Sequence, residues 1–151
     1  MRLPTIAAAL AIGLMPSAHA APATARSAAA ASTSDAAAAA ALISSYRASY
    51  GLGPVSVDMR LNQAAQYQAL VLAGTGQLSH GDFAARMARY GVRGQAAENL
   101  SGGTYTVADT VALWIRSPGH NANLLLPGVQ RIGLGRSSWS FGSSWALILS
   151  R

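Results

Sequence analysis

The sequence predicts an α+β fold in which helices cover a small, mainly antiparallel central sheet, and three observations predict it. Apolar residues recur at helical spacing along the chain as far as Ile115. The period then changes: "RIGLGRS" (131–137) alternates, and "SWALILS" (144–150) is apolar on both faces, as a strand covered on both sides would be. Cysteine is absent, so the fold must hold itself by core packing, for which one domain of ~110 residues is long enough. Helices layered on a terminal hairpin make an α+β sandwich. No internal repeat interrupts this pattern.

Residues 1–20, "MRLPTIAAALAIGLMPSAHA", read as a secretory signal peptide. Arg2 supplies the positive start, Leu3 to Met15 the apolar run, and Ala18-His19-Ala20 a small-x-small cleavage pattern. Pro4 and Pro16 interrupt that run, which is too short for the roughly 20 apolar residues that span a bilayer. The expectation is an exported protein, periplasmic or secreted, with no membrane span in its mature form. Residues 21–34, "APATARSAAAASTS", carry no large apolar side chain and are expected as a disordered linker, which places the folded domain at 35–151.

Each element then follows from local signals. Ser34-Asp35 offers an N-cap for a first helix with Ala39, Leu42, Ile43, Tyr46 and Tyr50 on one face, and "GLGP" (51–54) stops it. Asp58 caps a second helix, with Leu61, Ala64, Ala65, Ala69 and Leu72 inward and an end at Gly74 or Gly76. A third helix fits Asp82 to Tyr90, closed by Gly91. Asp82 reads as part of a cap begun at Ser79, which puts His80 in that helix's first turn. "AAENLS" (96–101) is a short strand. Thr106 to Arg116 is helical, with Val107, Val111, Trp114 and Ile115 inward, and Pro118 prevents continuation. "SWSFGS" forms the loop between the two terminal strands.

Composition bounds function. There are 11 basic and 5 acidic residues, a formal net charge of +6, and no lysine. Taking Arg2 away with the signal peptide leaves ten arginines against five acids, about +5. Arginine without lysine, together with abundant alanine, points to a GC-rich coding bias and a bacterial source. An exported chain without a recognition motif is not expected to bind nucleic acid. The lack of cysteine excludes disulfides, thiol catalysis and cysteine zinc sites.

Apart from His19 the chain has two histidines, His80 and His120, and its one glutamate is Glu98. Each sits at an element boundary or in a short strand, where sites are found more often than in cores. Two imidazoles and a carboxylate can hold a divalent metal such as zinc with an open coordination position. The same trio can instead supply a general base and its orienting partner, with Glu98 the candidate. Structural roles compete with both. A glutamate within an apolar sandwich must be paired, because an unpaired buried carboxylate is costly. Asp109 follows Thr106 by three and reads as a helix cap. Asn99 and Asn123 read as support for turns. Arg86, Arg89 and Arg93 share one face of the third helix, read as a solvated face ahead of an anion-binding patch. Trp114 reads as core. Trp139 and Phe141, in the terminal loop, read as exposed and available to a ligand or partner.

Five stretches carry a family resemblance: "YRASYGLGPVSVDMRLNQAAQ", "LSHGDFAARMARYGV", "AENLSGG", "VALWIRSPGHNANLL" and "RIGLG". Together, from Tyr46 to Gly135, they resemble the short bacterial branch of the CAP superfamily (cysteine-rich secretory, antigen 5 and pathogenesis-related proteins, also called SCP-like). The resemblance implies an α-β-α sandwich with a surface cleft lined by two histidines and two acidic residues. His80 matches the first histidine, Glu98 the first acid and His120 the second histidine. The second acid has no match, since Ile115, Arg116 and Ser117 follow Trp114, and Asn121 stands where many bacterial relatives carry arginine. Asp109 is the nearest substitute acid, though its capping role is simpler.

Two function classes follow. The favoured one is a binding module whose cleft of His80, Glu98 and His120 takes a small amphipathic, lipid-like or cell-envelope ligand, with a divalent metal as an optional clamp. The missing second acid and the lack of a recognisable nucleophile favour it. The alternative is a metal-assisted hydrolase of peptides or esters, with His80 and His120 on the metal and Glu98 ligating it or activating water.

Overall fold

A computed structural model describes residues 23–151, with side chains described from Thr33 onward; the expected signal peptide of residues 1–20 lies outside the described residues. The elements in chain order are α1 (Ala23–Ala48), β1 (Ser56–Val57), α2 (Met59–Thr75), α3 (Phe83–Arg89), β2 (Ala96–Thr104), α4 (Val107–Arg116), α5 (Pro118–Leu124), β3 (Arg131–Ser138) and β4 (Ser143–Ser150).

The α+β architecture matches the expectation. The sheet order is β1-β3-β4-β2, with both β2 and β3 antiparallel to β4 and only the two-residue β1 parallel to its neighbour β3. Every residue of β4 is buried, as its two-faced apolar sequence requires. On one face Ala36, Ala39 and Ile43 of α1, with Val111 and Trp114 of α4 and Leu124 of α5, pack on Ile132, Leu134, Trp145, Leu147 and Leu149. On the other, Leu61, Ala65, Ala69 and Leu72 of α2 and Met87 of α3 pack on Leu100, Ala146 and Ile148. Two helical layers around one sheet make the α-β-α sandwich.

α2 is the element the sequence specifies most completely. Asp58 caps it, its carboxylate accepting from the backbone N–H of Arg60 (2.8 Å) and Leu61 (3.2 Å). Gly76 ends it in the left-handed region at φ 68°. The helix lies directly on β3. A Cβ at Gly133 would fall 2.0 Å from the Leu61 carbonyl carbon, and one at Gly135 2.3 Å from that of Ala65. The glycines of "RIGLG" are therefore the condition for this helix–strand approach. Asn62 Oδ1 accepts from Leu134 N (2.9 Å), and Gln66 brackets Arg136 N and O (3.1 and 2.8 Å), so side chains of α2 satisfy the stretch of β3 edge that the short β1 leaves open.

Several expectations are corrected. The helix expected from Asp35 begins at Ala23, so the residues expected as a linker are helical from there on, consistent with the high helix propensity of alanine. Asp35 does not cap it; its carboxylate lies 3.5 Å from Arg136. The buried face of α1 is Ala36, Ala39, Ala40, Ile43 and Arg47, while Leu42 and Tyr50 are exposed. Alanines on every side of the helix blur its period, and the shift of face follows from that. Pro118 ends α4 but starts α5, where a missing N–H and a fixed φ suit the first helical position. His120 therefore stands in the first turn of a helix, not in a loop. Finally, Asp82 itself is the N-cap of α3, accepting from Ala85 N at 2.9 Å, so His80 lies before the helix. Thr106 and Asp109 form the expected cap: Thr106 Oγ1 accepts from Asp109 N (3.1 Å) and donates to the Asp109 carboxylate (2.7 Å). In the terminal loop Phe141 is 80% exposed, whereas Trp139 is half-buried over Gly102.

Candidate functional site

β2 is an edge strand, and its outer edge and both faces around Glu98 and Asn99 are covered by segments that carry the two histidines. Glu98 and Asn99 alternate across the strand. Glu98 lies on the α2–α3 side with its side chain 2% exposed. One carboxylate oxygen accepts from His80 Nδ1 at 2.8 Å, and the other pairs with Arg86 Nη2. Arg86 Nη1 donates further to Gln68 Oε1 (2.5 Å) and to the His80 carbonyl (3.1 Å), and Gln68 Nε2 donates to the Ser79 carbonyl (2.6 Å). Side chains from α2 and α3 thereby hold both the charge and the main chain of the segment that presents His80. The His80 side chain is 57% exposed. With Nδ1 turned to the carboxylate, Nε2 is the ring atom left for other chemistry.

On the opposite face, Asn99 Nδ2 donates to the His120 carbonyl (3.0 Å). Asn123 Nδ2 donates to Asn99 Oδ1 (2.9 Å) and to the main-chain carbonyl of Glu98 (3.3 Å). Two asparagines thus seat α5 on the strand edge and satisfy a carbonyl that has no strand partner. Trp114 Nε1 does the same for the Leu100 carbonyl at 3.2 Å. Asn121 accepts from the Tyr46 hydroxyl at 2.9 Å, tying α5 to α1. His120 Nδ1 is buried and has no hydrogen-bond partner among the described residues.

The electrostatics follow from this arrangement. Burial pushes the Glu98 carboxyl up, against the opposing pull of the His80 hydrogen bond and the Arg86 charge. Burial pushes His120 down, and the charge of nearby His80 acts in the same direction. The two imidazoles therefore lie within electrostatic reach of one another. Asp109 is absent from the cluster and remains with Thr106.

These donors do not fit a metal centre as they stand. Among the described residues no group of three or more His, Cys, Asp or Glu is placed to hold a metal ion. Both Glu98 oxygens are committed, one of them to a guanidinium whose fixed charge opposes a divalent cation. A groove of about 890 Å³ lies elsewhere, along α2, the middle of α1 and the end of β3, and is lined by none of His80, Glu98 or His120.

Arg86 and Gln68 are the members that sequence reasoning missed. Arg86 is buried, contrary to the reading of a solvated arginine face. A signal was present: Phe83, Arg86, Met87 and Tyr90 follow the i, i+3, i+4, i+7 pattern of an inward stripe. An arginine inside such a stripe demands a buried partner, and Glu98 is the one glutamate.

Comparison with known proteins gives a consistent picture. The family model described as CAP, the cysteine-rich secretory protein family, matches residues 40–149. A relative of Bacillus subtilis (strain 168), the uncharacterized protein YkwD, is 28% identical over 100 residues, which are 62% of this chain and 39% of that protein. The chain thus spans well under half of that relative's length. Among solved structures, an extracellular protein containing an SCP domain from Bacillus anthracis str. Ames superposes with a TM-score of 0.72 at 20% identity. That match covers 87% of this chain and 45% of the other. An outer surface protein from Borrelia burgdorferi superposes with a TM-score of 0.67 at 21% identity, covering 77% of this chain and 90% of that one. At such identities the likeness is one of fold.

Proposed function

The chain belongs to the cysteine-rich secretory protein (CAP) family, and on that premise we propose that it is an exported binding module. His80 and His120, braced through Glu98, Asn99 and Asn123, receive the polar end of a small amphipathic or cell-envelope ligand. Export is supported by the signal-like residues 1–20 and by relatives named as extracellular and outer-surface proteins.

The observation that carries the binding reading is the double commitment of Glu98 to Arg86 and His80. A carboxylate held on both oxygens and 2% exposed is an orienting group for an imidazole. It is poorly placed to attack, to ligate a metal or to reach a substrate water. Glu98 fixes the His80 ring, and the outward Nε2 accepts a hydrogen bond from a hydroxyl or protonated acid, or donates one when the ring is charged. His120, whose neutral form burial favours, offers a second contact of the same kind.

The test is NMR titration of the mature protein with octanoate and with a soluble envelope glycan fragment, following the ring protons of both histidines. Saturable shifts at His80 and His120, with affinity weakened about tenfold or more in His80→Ala, are expected. Turnover of a peptide or ester library that disappears in Glu98→Gln would overturn the reading in favour of the hydrolase. Addition of zinc is expected to leave the melting temperature unchanged, and a rise abolished by His120→Ala would restore the metal.

A further inference from the structure

A second concavity, independent of the histidines, lies on the α2–α3 side of the sheet. It has a volume of about 390 Å³ and is lined by Asp58, Arg60, Leu61, Gly91, Val92, Arg93 and Arg131. That volume falls at the lower end of the roughly 300–1,000 Å³ typical of small-molecule sites. Three guanidinium groups face one carboxylate. Asp58 is already spent, one oxygen capping α2 through the N–H groups of Arg60 and Leu61 and the other lying 3.4 Å from Arg131. Arg60 and Arg93 are exposed and make no side-chain hydrogen bond or ion pair among the described residues. Two unneutralised cations thus border one small pocket.

Both stand at or next to a defined turn of the backbone. Arg60 occupies the capped first turn of α2. Arg93 leaves α3 through a left-handed Gly91 (φ 67°), closed by Gly91 N to Ala88 O (3.0 Å) and Val92 N to Met87 O (2.9 Å), with Val92 packed on the α2–α3 core. The αL glycine and the paired closing bonds have the form of a helix C-cap, so the turn is built rather than loose. Guanidinium forks match the oxygens of phosphate in a bidentate way, and a compact, doubly charged oxyanion is the ligand that two such forks complete.

We propose that this pocket binds a phosphate ester through Arg60 and Arg93, with Arg131 in support and Leu61 and Val92 as its apolar floor. The phosphate is that of a soluble ester or of a lipid headgroup, which share the recognised chemistry.

The test is a titration of the arginine Nε–H resonances with glycerol 1-phosphate in about 150 mM sodium chloride, run beside a binding assay on vesicles containing phosphatidic acid. Saturable shifts confined to Arg60, Arg93 and Arg131 are expected, without movement of the His80 and His120 ring signals. The double variant Arg60→Gln/Arg93→Gln, both positions being exposed, should keep the wild-type melting temperature and weaken binding about tenfold or more. Loss in the ester arm assigns a soluble ligand. Loss in the vesicle arm alone assigns the lipid headgroup. Equal shifts at Arg89, Arg116 and Arg136, or a double variant that binds both probes as tightly as the parent, would overturn the proposal. Because the histidine signals are read in the same spectra, failure here is distinct from failure of the histidine site.

Discussion

Two arginines are buried on opposite sides of the sheet, and they are buried in different ways. Arg47, 1% exposed at the end of α1, donates to the main-chain carbonyls of Gly53 (2.9 Å), Leu124 (2.8 Å), Leu126 (3.0 Å) and Val129 (3.1 Å). Among the described residues no carboxylate meets it. Arg86, 7% exposed in α3, spends its contacts on the Glu98 carboxylate, the Gln68 amide and the His80 carbonyl. The first is a knot of neutral acceptors joining the α1–β1 loop to the end of α5 and the α5–β3 loop. The second is a charge match that aims a histidine. The difference teaches how a guanidinium is tolerated inside a protein: its terminal N–H groups are filled in both, though Arg86 Nε has no partner among the described residues, and what fills them decides whether the residue is architecture or part of a site.

Removing each arginine should separate the two roles. Arg47→Met leaves four carbonyls without a donor, and the expected loss of folding free energy is about 4 kcal/mol, a large part of the roughly 5–15 kcal/mol typical of a domain. Because its acceptors do not titrate, the loss in urea unfolding should be the same at pH 5 and pH 7.5. A loss below about 1 kcal/mol would show that water replaces the guanidinium and that no knot exists. Arg86→Met leaves a buried carboxylate with one oxygen unpaired, at an expected cost of about 3 kcal/mol near neutral pH. This cost should depend on pH. The Glu98 carboxyl is already raised in the folded state by burial, so its protonated form is favoured there. Stability tied to it is present at low pH and is lost as pH rises through the folded pKa. Without Arg86 that loss deepens, so the defect should shrink on acidification, and Arg86→Met/Glu98→Gln should recover part of it at pH 7.5. An Arg86→Met defect equal at both pH values would break the contrast.

A third substitution asks whether the site depends on the sheet beneath it. Gly133→Ala places a methyl group where the Leu61 backbone already stands, so α2 must move. Overpacking of this kind costs about 2 kcal/mol. Since α2 carries Gln68, the displacement should reach the Gln68–Arg86 contact and increase hydrogen exchange of the residue 79–82 backbone. The Arg47 region, across the sheet, should keep its protection. Equal loosening on both sides would show that the two buried arginines are not independently supported.

How much of this was legible in the sequence depends on whether a signal is local. α2 could be read closely because a regular apolar stripe is bracketed directly by its caps, Asp58 and Gly76. β4 could be read because a run apolar on both faces admits few other interpretations. β1 could not, since two residues become a strand only by finding β3 far along the chain. α5 was hidden because the same proline that stops one helix opens the next. In the site, His80 and Glu98 stand out by scarcity and by family resemblance, yet Arg86 was masked by Arg89 and Arg93 at neighbouring positions. Only the apolar company of Phe83, Met87 and Tyr90 marks it as inward.

The smallest expected effect sharpens the comparison within the site itself. His120 and Glu98 are both shifted by burial, but their signs oppose. The His120 imidazole is held below its ordinary value, so the fold favours its neutral form. Its stabilising contribution is full above the unfolded pKa, near 6.5, and is lost as pH falls through the folded value. Glu98, raised, gains as pH falls over a lower window, toward the ordinary carboxylate range. The wild-type protein should therefore lose some stability through His120 as pH falls from about 6.5, and recover part of it through Glu98 as pH falls on toward the ordinary carboxylate range. His120→Asn should remove the upper limb and leave the lower one. Glu98→Gln should remove the lower limb and also weaken the fixed tautomer of His80, visible as a change in its ring-nitrogen chemical shifts. Unfolding free energies measured at half-unit pH intervals decide the matter, and an upper limb that persists unchanged in His120→Asn would show that the burial of His120 is not its source.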